Sequence, residues 1–140
     1  MTQKFQYSLY PESQVPDAKR VVADRALQQA ATDLAIPKPG LKWFRQTRNG
    51  ETVLIKSSVI LWGFTEIGAS PVDWNAYVWE SLDLRQLYKT SCHETYHLYL
   101  SSPNKADARE ETAAEAFAEK TALAHRAQWS GVADRIYGTP

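Results

Sequence analysis

The chain has 140 residues, of which 44% are hydrophobic and 23% are charged, the composition of an ordinary globular protein. Sixteen basic and sixteen acidic side chains leave no net charge, so the surface lacks the positive excess with which proteins bind nucleic acids or anionic membranes. These values predict one domain over residues 1–140, with neither a nucleic acid nor a membrane as partner.

Cysteine content and apolar runs bear on the compartment. A single cysteine, Cys92, excludes a disulfide framework within the chain and favours a reducing environment. The segment from Met1 to Gln14 has no stretch typical of a signal peptide, and the longest apolar run, Val59 to Trp62, is too short to span a bilayer. We therefore expect a cytoplasmic protein.

The first predicted element is an amphipathic helix from about Asp17 to Ala35. Pro16 before Asp17 is typical of a helix start, and alanine and leucine then recur at helical spacing. The Pro-Lys-Pro-Gly sequence at 37–40 ends the pattern.

A small sheet is predicted in the middle of the chain. Segments 41–46 and 52–56 flank Asn49-Gly50, a dipeptide that favours a tight hairpin turn. β-branched and aromatic residues predict further strands over 59–66 and 76–80. We expect these strands to form a mostly antiparallel sheet.

Two helices are predicted to follow the sheet. Asp83 is a suitable N-cap for a helix that runs to about Leu100, and Asp107 can cap a last helix from Ala108 to about Gln128. No repeat or linker divides the chain. The order of helix, sheet, helix and helix predicts an α+β fold.

The helix after Asp83 carries the sequence His93-Glu94-Thr95-Tyr96-His97, an H-E-x-x-H motif. Residues four apart lie on one face of a helix, so both imidazoles can bind one zinc ion. A catalytic zinc site keeps one coordination position for water, and Glu94 is suited to accept a proton from that water as general base. The motif therefore predicts zinc-dependent hydrolysis.

Candidates for a third ligand lie on the last predicted helix. Glu111 and Glu115 are one turn apart, so one can bind zinc while the other accepts a hydrogen bond from a histidine. Spacing alone leaves open which glutamate has which role. The alternative is that both are ordinary solvated glutamates on an alanine-rich helix.

These motifs resemble those of known zinc peptidases. H-E-x-x-H followed by Glu111-Thr112-Ala113-Ala114-Glu115 resembles the gluzincin arrangement, and among gluzincins the chain looks most like the small ImmA/IrrE-type metallopeptidases. The positions that carry this second resemblance are Thr90, His93, Glu94, His97, Glu111, Ala114, Phe117 and Ala118.

The resemblance implies a minimal zincin-like metallopeptidase domain that cleaves a protein or peptide substrate. It also implies that Glu111 is the zinc ligand and that Glu115 is the residue that supports a histidine. The oligomeric state is left open.

A substrate-binding strand is a further hypothesis. Asn75, Ala76 and Tyr77 are similar to the edge strand with which thermolysin-like enzymes hold an extended peptide. The alternative is a half-buried strand whose aromatic residues belong to the core.

Other candidates carry less. His125 would lie about 21 Å from Glu111 along a continuous helix, and Cys92 is better interpreted as a small buried hydrophobic residue. Any of Tyr88, Tyr96 and Tyr99 could stabilise an oxyanion, but packing in the core explains each of them as well.

Two alternative functions remain. The chain could be a zinc-binding regulatory or structural protein, for example a phage-encoded one, that has the zincin scaffold without turnover. It could also be an interaction protein in which the motif is accidental and no metal binds.

Overall fold

The fold is described from a computed structural model, for residues 7–48, 51–52, 62–100 and 108–132. Within these residues it has three long helices and five strands. The strands are β1 (Tyr7–Tyr10), β2 (Gly40–Arg48), β3 (Glu51–Thr52), β4 (Gly63–Glu66) and β5 (Asn75–Trp79); the helices are α1 (Asp17–Leu34), α2 (Leu84–Leu100) and α3 (Ala108–Ala124). The predicted α+β class is confirmed.

The sheet is mixed, in the order β1-β2-β5-β4, with β3 paired to β2. β1 with β2, β2 with β3, and β4 with β5 are antiparallel, whereas the central pair of β2 and β5 is parallel. Antiparallel pairings thus prevail among the described strands, as predicted, but the centre of the sheet is parallel.

The predicted position of β5 at an edge of the sheet is wrong. Asn75 pairs with Gly40 of β2 on one side and with Glu66 of β4 on the other, and this double pairing continues through Ala76 and Tyr77. The main-chain groups of this strand therefore serve the sheet on both sides and are not available to a peptide along an edge.

The predicted hairpin is only partly within the described residues. β2 and β3 pair antiparallel, with Arg48 opposite Glu51, whereas Asn49-Gly50 and residues 53–61 lie outside the described residues. Of the strand predicted over 59–66, the described part is β4, which begins at Gly63.

Local signals placed the helix starts well. α1 begins at Asp17, and it ends one residue before the predicted boundary because Ala35 takes a left-handed conformation with φ 56°. At the start of α2, the backbone N–H of Gln86 donates a hydrogen bond to the Asp83 carboxylate at 2.8 Å. The backbone N–H of Asp83 donates one to the side-chain oxygen of Gln86 at 3.0 Å. This reciprocal pair is a capping box, so the predicted N-cap is confirmed.

The last helix is shorter than predicted. α3 ends at Ala124, His125 has non-helical angles of φ −120° and ψ 38°, and a 3-10 turn follows at Arg126–Gln128. The indole of Trp129 donates a hydrogen bond to the Ala122 carbonyl at 2.9 Å. This bond satisfies a carbonyl of the last helical turn that a longer helix would have bonded internally.

α2 is the central element of the packing. It contacts α1, α3, β4 and β5, and Leu87, Tyr88 and Cys92 are fully buried in a core that also contains Trp43 and Val78. The motif helix is therefore held on several sides.

None of the helices within the described ranges combines the length and the apolar character needed to cross a membrane.

Candidate metal centre

The two motif histidines lie together on the side of α2 that faces α3. Their ring centroids are 4.9 Å apart. The side chain of His97 is 1% exposed and that of His93 is 16% exposed, so the His97 ring is buried and the His93 ring is partly exposed. The helical spacing alone produces this pairing, as the sequence predicts.

α3 runs antiparallel to α2 and presents a glutamate at each matching turn. Three side chains at four-residue spacing on α2 meet three at the same spacing on α3: Lys89 meets Glu119, His93 meets Glu115, and His97 meets Glu111. The distances in these pairs are 2.8, 3.2 and 2.7 Å. The two helices are therefore joined by a row of three paired side chains, and the motif histidines belong to two adjacent pairs.

Glu111 bridges the two imidazoles. One carboxylate oxygen lies 3.0 Å from Nε2 of His93, and the other lies 2.7 Å from Nε2 of His97. His93, Glu94 and His97 can also bring one ligand atom each within 4.8 Å of one another. Glu111, which approaches both Nε2 atoms directly, and Glu94 are therefore both candidates for the third ligand.

The other nitrogen of each ring also faces a carboxylate. Nδ1 of His93 lies 3.2 Å from Glu115, and Nδ1 of His97 lies 2.8 Å from Glu110. The Glu115 carboxylate is therefore within hydrogen-bond distance of His93. Glu110 was missed by the sequence interpretation. Its signal was its place beside Glu111, together with the general need of a metal-binding histidine for a second hydrogen-bond partner.

The residues present fit a cation. A neutral imidazole has a single N–H group, and an ionised carboxylate can only accept hydrogen bonds. If the ring donates its hydrogen bond through Nδ1, the other nitrogen, Nε2, carries a lone pair that faces Glu111. Nε2 of His97 is buried and has no hydrogen bond, although the Glu111 oxygen is 2.7 Å away. A positive ion between these lone pairs would stabilise the arrangement, and imidazole with carboxylate is a donor set that zinc accepts.

Glu94 points into the same region from the inner side of α2. Its side chain is buried, and it lines a cavity of about 580 Å³ together with His93, His97 and Glu111. β4 can approach α2 closely at this point because Gly63 has no side chain. A Cβ atom at this position would lie 3.0 Å from Cγ of Glu94 and 2.8 Å from the carbonyl oxygen of Tyr77.

Lys89 lines the cavity one turn before His93. Its ammonium lies 3.0 Å from Glu115 and 2.8 Å from Glu119. Burial alone would lower the pKa of Lys89, but the hydrogen bonds to Glu119 and Glu115 outweigh burial and raise it. Burial alone would raise the pKa of Glu115, but Lys89 and then His93 outweigh burial and lower it. Both shifts favour the charged forms at neutral pH.

The proposed substrate residues do not reach this cavity. The Asn75 amide donates to Glu66 at 2.8 Å. Ala76 is fully buried, and Tyr77 stacks on Phe64 with centroids 4.4 Å apart. None of the three is among the described residues that line the cavity, so the structure does not bring them to the candidate metal centre.

The other candidates from the sequence also lie elsewhere. Among the described residues, the cavity lining includes none of the three tyrosines and does not include His125. Tyr88 is buried and donates to Gln128 at 2.5 Å, and burial raises its pKa well above the ordinary value. Cys92 is fully buried with its thiol 3.8 Å from the Ala26 carbonyl, and burial raises its pKa as well.

No protein-family model, curated protein sequence or solved structure matches this chain.

Proposed function

We propose that the chain is a zinc-dependent peptidase of the gluzincin type that cleaves a protein or peptide substrate. The observation that carries the proposal is the convergence of the two imidazole Nε2 atoms on the Glu111 carboxylate, at 3.0 and 2.7 Å, in a cavity that Glu94 also lines. In this proposal His93, His97 and Glu111 bind the ion. The resemblance to the ImmA/IrrE-type metallopeptidases and to a zincin-like fold is part of the same proposal.

The protein supplies a general base beside the proposed ligands. A bound zinc ion contributes Lewis acidity, which polarises a carbonyl group and makes water more acidic. The Glu94 carboxylate accepts the proton of the attacking water and delivers it to the amine that leaves. Burial of Glu94 limits competing solvent around this proton transfer.

A bound peptide would lie against β4, because Gly63 and Phe64 of this strand line the cavity beside Glu94. The proposal thus places the substrate at β4 and not at Asn75, Ala76 and Tyr77, none of which is among the described lining residues.

Metal analysis and cleavage assays with a Glu94→Gln variant test the proposal. We expect close to one zinc per chain in the wild-type protein, and cleavage of a peptide library that a chelator abolishes and zinc restores. Glu94→Gln should keep the zinc and lower turnover by about 10²–10⁴-fold, the usual contribution of a general base. Glu12→Gln, which changes an exposed carboxylate that is not among the described residues lining the cavity, is the control.

The results distinguish the alternatives. A protein that binds zinc but cleaves no library member supports the regulatory or structural zinc protein. A protein that binds no metal supports an accidental motif. Turnover that Glu94→Gln leaves unchanged would contradict the role of Glu94.

A further inference from the structure

The two histidines are supported unequally. The carboxylate beside Nδ1 of His97 belongs to Glu110, which is almost completely buried, whereas the one beside Nδ1 of His93 belongs to Glu115, whose side chain is 53% exposed. An exposed ion pair or hydrogen bond competes with water and is worth little by itself. Glu115 therefore needs a second contact if it is to remain at His93.

Lys89 provides that contact. Its ammonium lies 3.0 Å from Glu115 and 2.8 Å from Glu119, one turn further along α3, and its side chain is only 18% exposed. A half-buried ammonium between two carboxylates is screened less by solvent than an exposed pair. The two glutamates hold the lysine from two sides, and the lysine in turn fixes the position of Glu115.

We propose that Lys89 is a positioning residue of the metal centre: it holds the Glu115 carboxylate against Nδ1 of His93 and thereby turns Nε2 of that ring toward the metal. With Nδ1–H donating to Glu115, the lone pair is on Nε2, the nitrogen that faces Glu111 at 3.0 Å. Lys89 thus acts through Glu115 and His93. The presence of a metal in this inference rests on the proposed function, whereas the effect of Lys89 on the His93 ring does not.

The chain contains a matched control for this inference. Arg85 is one further turn back on α2, is 58% exposed and lies 3.8 Å from Glu119. It belongs to the same row of charges but does not contact Glu115 within the described interactions. Its removal should change the charge of the helix as much as removal of Lys89 does, without releasing Glu115.

The first measurement is the tautomer of each histidine in the metal-free full-length protein, observed by long-range proton–nitrogen NMR. The chain has only three histidines, so their signals can be assigned with single His→Gln variants. Because Glu111 faces Nε2 of the same ring, the tautomers are compared with Glu111→Ala present throughout, so that Glu115 is the carboxylate left at His93. In this background we expect the Nδ1–H form of His93 with Lys89 intact, in Lys89→Arg and in Arg85→Met, and a mixture of both tautomers in Lys89→Met. His97 should not change in any variant, because Glu110 supports it independently.

The second measurement is zinc affinity by competition with a chelator. Loss of a group that supports a ligating histidine typically weakens metal binding 10–100-fold. Because Lys89 acts on His93 only through Glu115, we expect zinc affinity to fall about tenfold in Lys89→Met, the low end of this range. Lys89→Arg and Arg85→Met should stay within about threefold of wild type. If Lys89→Met does not fold, Lys89→Gln replaces it in both measurements.

Two results would overturn the inference: a His93 ring that remains fully in the Nδ1–H form after Lys89→Met, or zinc affinity that does not change when the tautomer does. Failure of the wild-type protein to bind zinc would instead refute the proposed function, and the tautomer of His93 would still show whether Lys89 orients the ring.

Discussion

The Glu110 carboxylate lies 2.8 Å from Nδ1 of His97, and the two side chains are 8% and 1% exposed. A buried imidazole N–H without an acceptor costs about 1–3 kcal/mol, so this contact matters for folding as well as for the orientation of His97. Both side chains of this contact are largely shielded from solvent.

Glu110→Ala should weaken both the metal site and the fold. We expect zinc affinity to fall about 10–100-fold, as for other residues that support a ligating histidine, and the free energy of unfolding of the metal-free protein to fall by about 1–3 kcal/mol. Chelator competition and urea denaturation measure the two effects.

Glu115→Ala is the control for this prediction, because it removes the exposed partner of the other histidine. Its loss of stability should be below about 1 kcal/mol. Equal losses of stability in the two variants would show that burial of Glu110 does not matter.

Glu111→Ala should release the metal. Glu111 contacts both Nε2 atoms, whereas Glu115 contacts only Nδ1 of His93, so the two alanine variants should differ strongly. We expect Glu111→Ala to be purified with little or no zinc and Glu115→Ala to retain zinc with lower affinity. Full zinc occupancy in Glu111→Ala would leave Glu94 as the third ligand.

Cys92 should be unreactive in the native protein. It is fully buried within the core, and a buried thiol excludes both solvent and reagent. We expect no reaction with a thiol reagent over hours under native conditions, and complete reaction of the single cysteine in urea. Zinc should not change either result, since Cys92 is not placed as a ligand. Rapid modification of the folded, metal-free protein would contradict this.

The local part of this structure could be predicted from the sequence. Asp83 as N-cap, the shared face of His93 and His97, and the facing glutamate helix all follow from helical spacing and capping chemistry, which depend on residues a few positions apart. These signals were sufficient to assemble the candidate ligands.

The order of the strands was harder to predict, because pairing partners are distant in sequence. β5 was interpreted as an edge strand, yet its three middle residues, Ala76, Tyr77 and Val78, are all buried. A continuous apolar run is typical of a central strand covered on both faces, and this signal was present in the sequence. The role of Gly63 could not be predicted, since it depends on how closely β4 approaches Glu94 in the folded chain.

Gly63→Ala should disturb the cavity without touching a proposed ligand. The added Cβ would lie 2.7 Å from Cγ2 of Thr90 and 2.8 Å from the Tyr77 carbonyl, closer than side-chain atoms normally come, so β4 must move away from α2 or from β5. Overpacking of this kind typically costs about 1–3 kcal/mol. Urea denaturation of the metal-free protein measures the loss, and zinc affinity should change less than stability because His93, His97 and Glu111 lie on the helices.

Thr90→Ser in the Gly63→Ala background provides the matched control for this last prediction. The serine removes the Cγ2 methyl group but leaves the Tyr77 carbonyl in place, so the double variant should recover part of the lost stability and not all of it. Complete recovery would show that the added Cβ is too close only to Cγ2 of Thr90. No recovery would place the steric conflict at the Tyr77 carbonyl and at Glu94. In that case the peptide cleavage that we propose, in which Glu94 is the general base, should remain impaired in both variants.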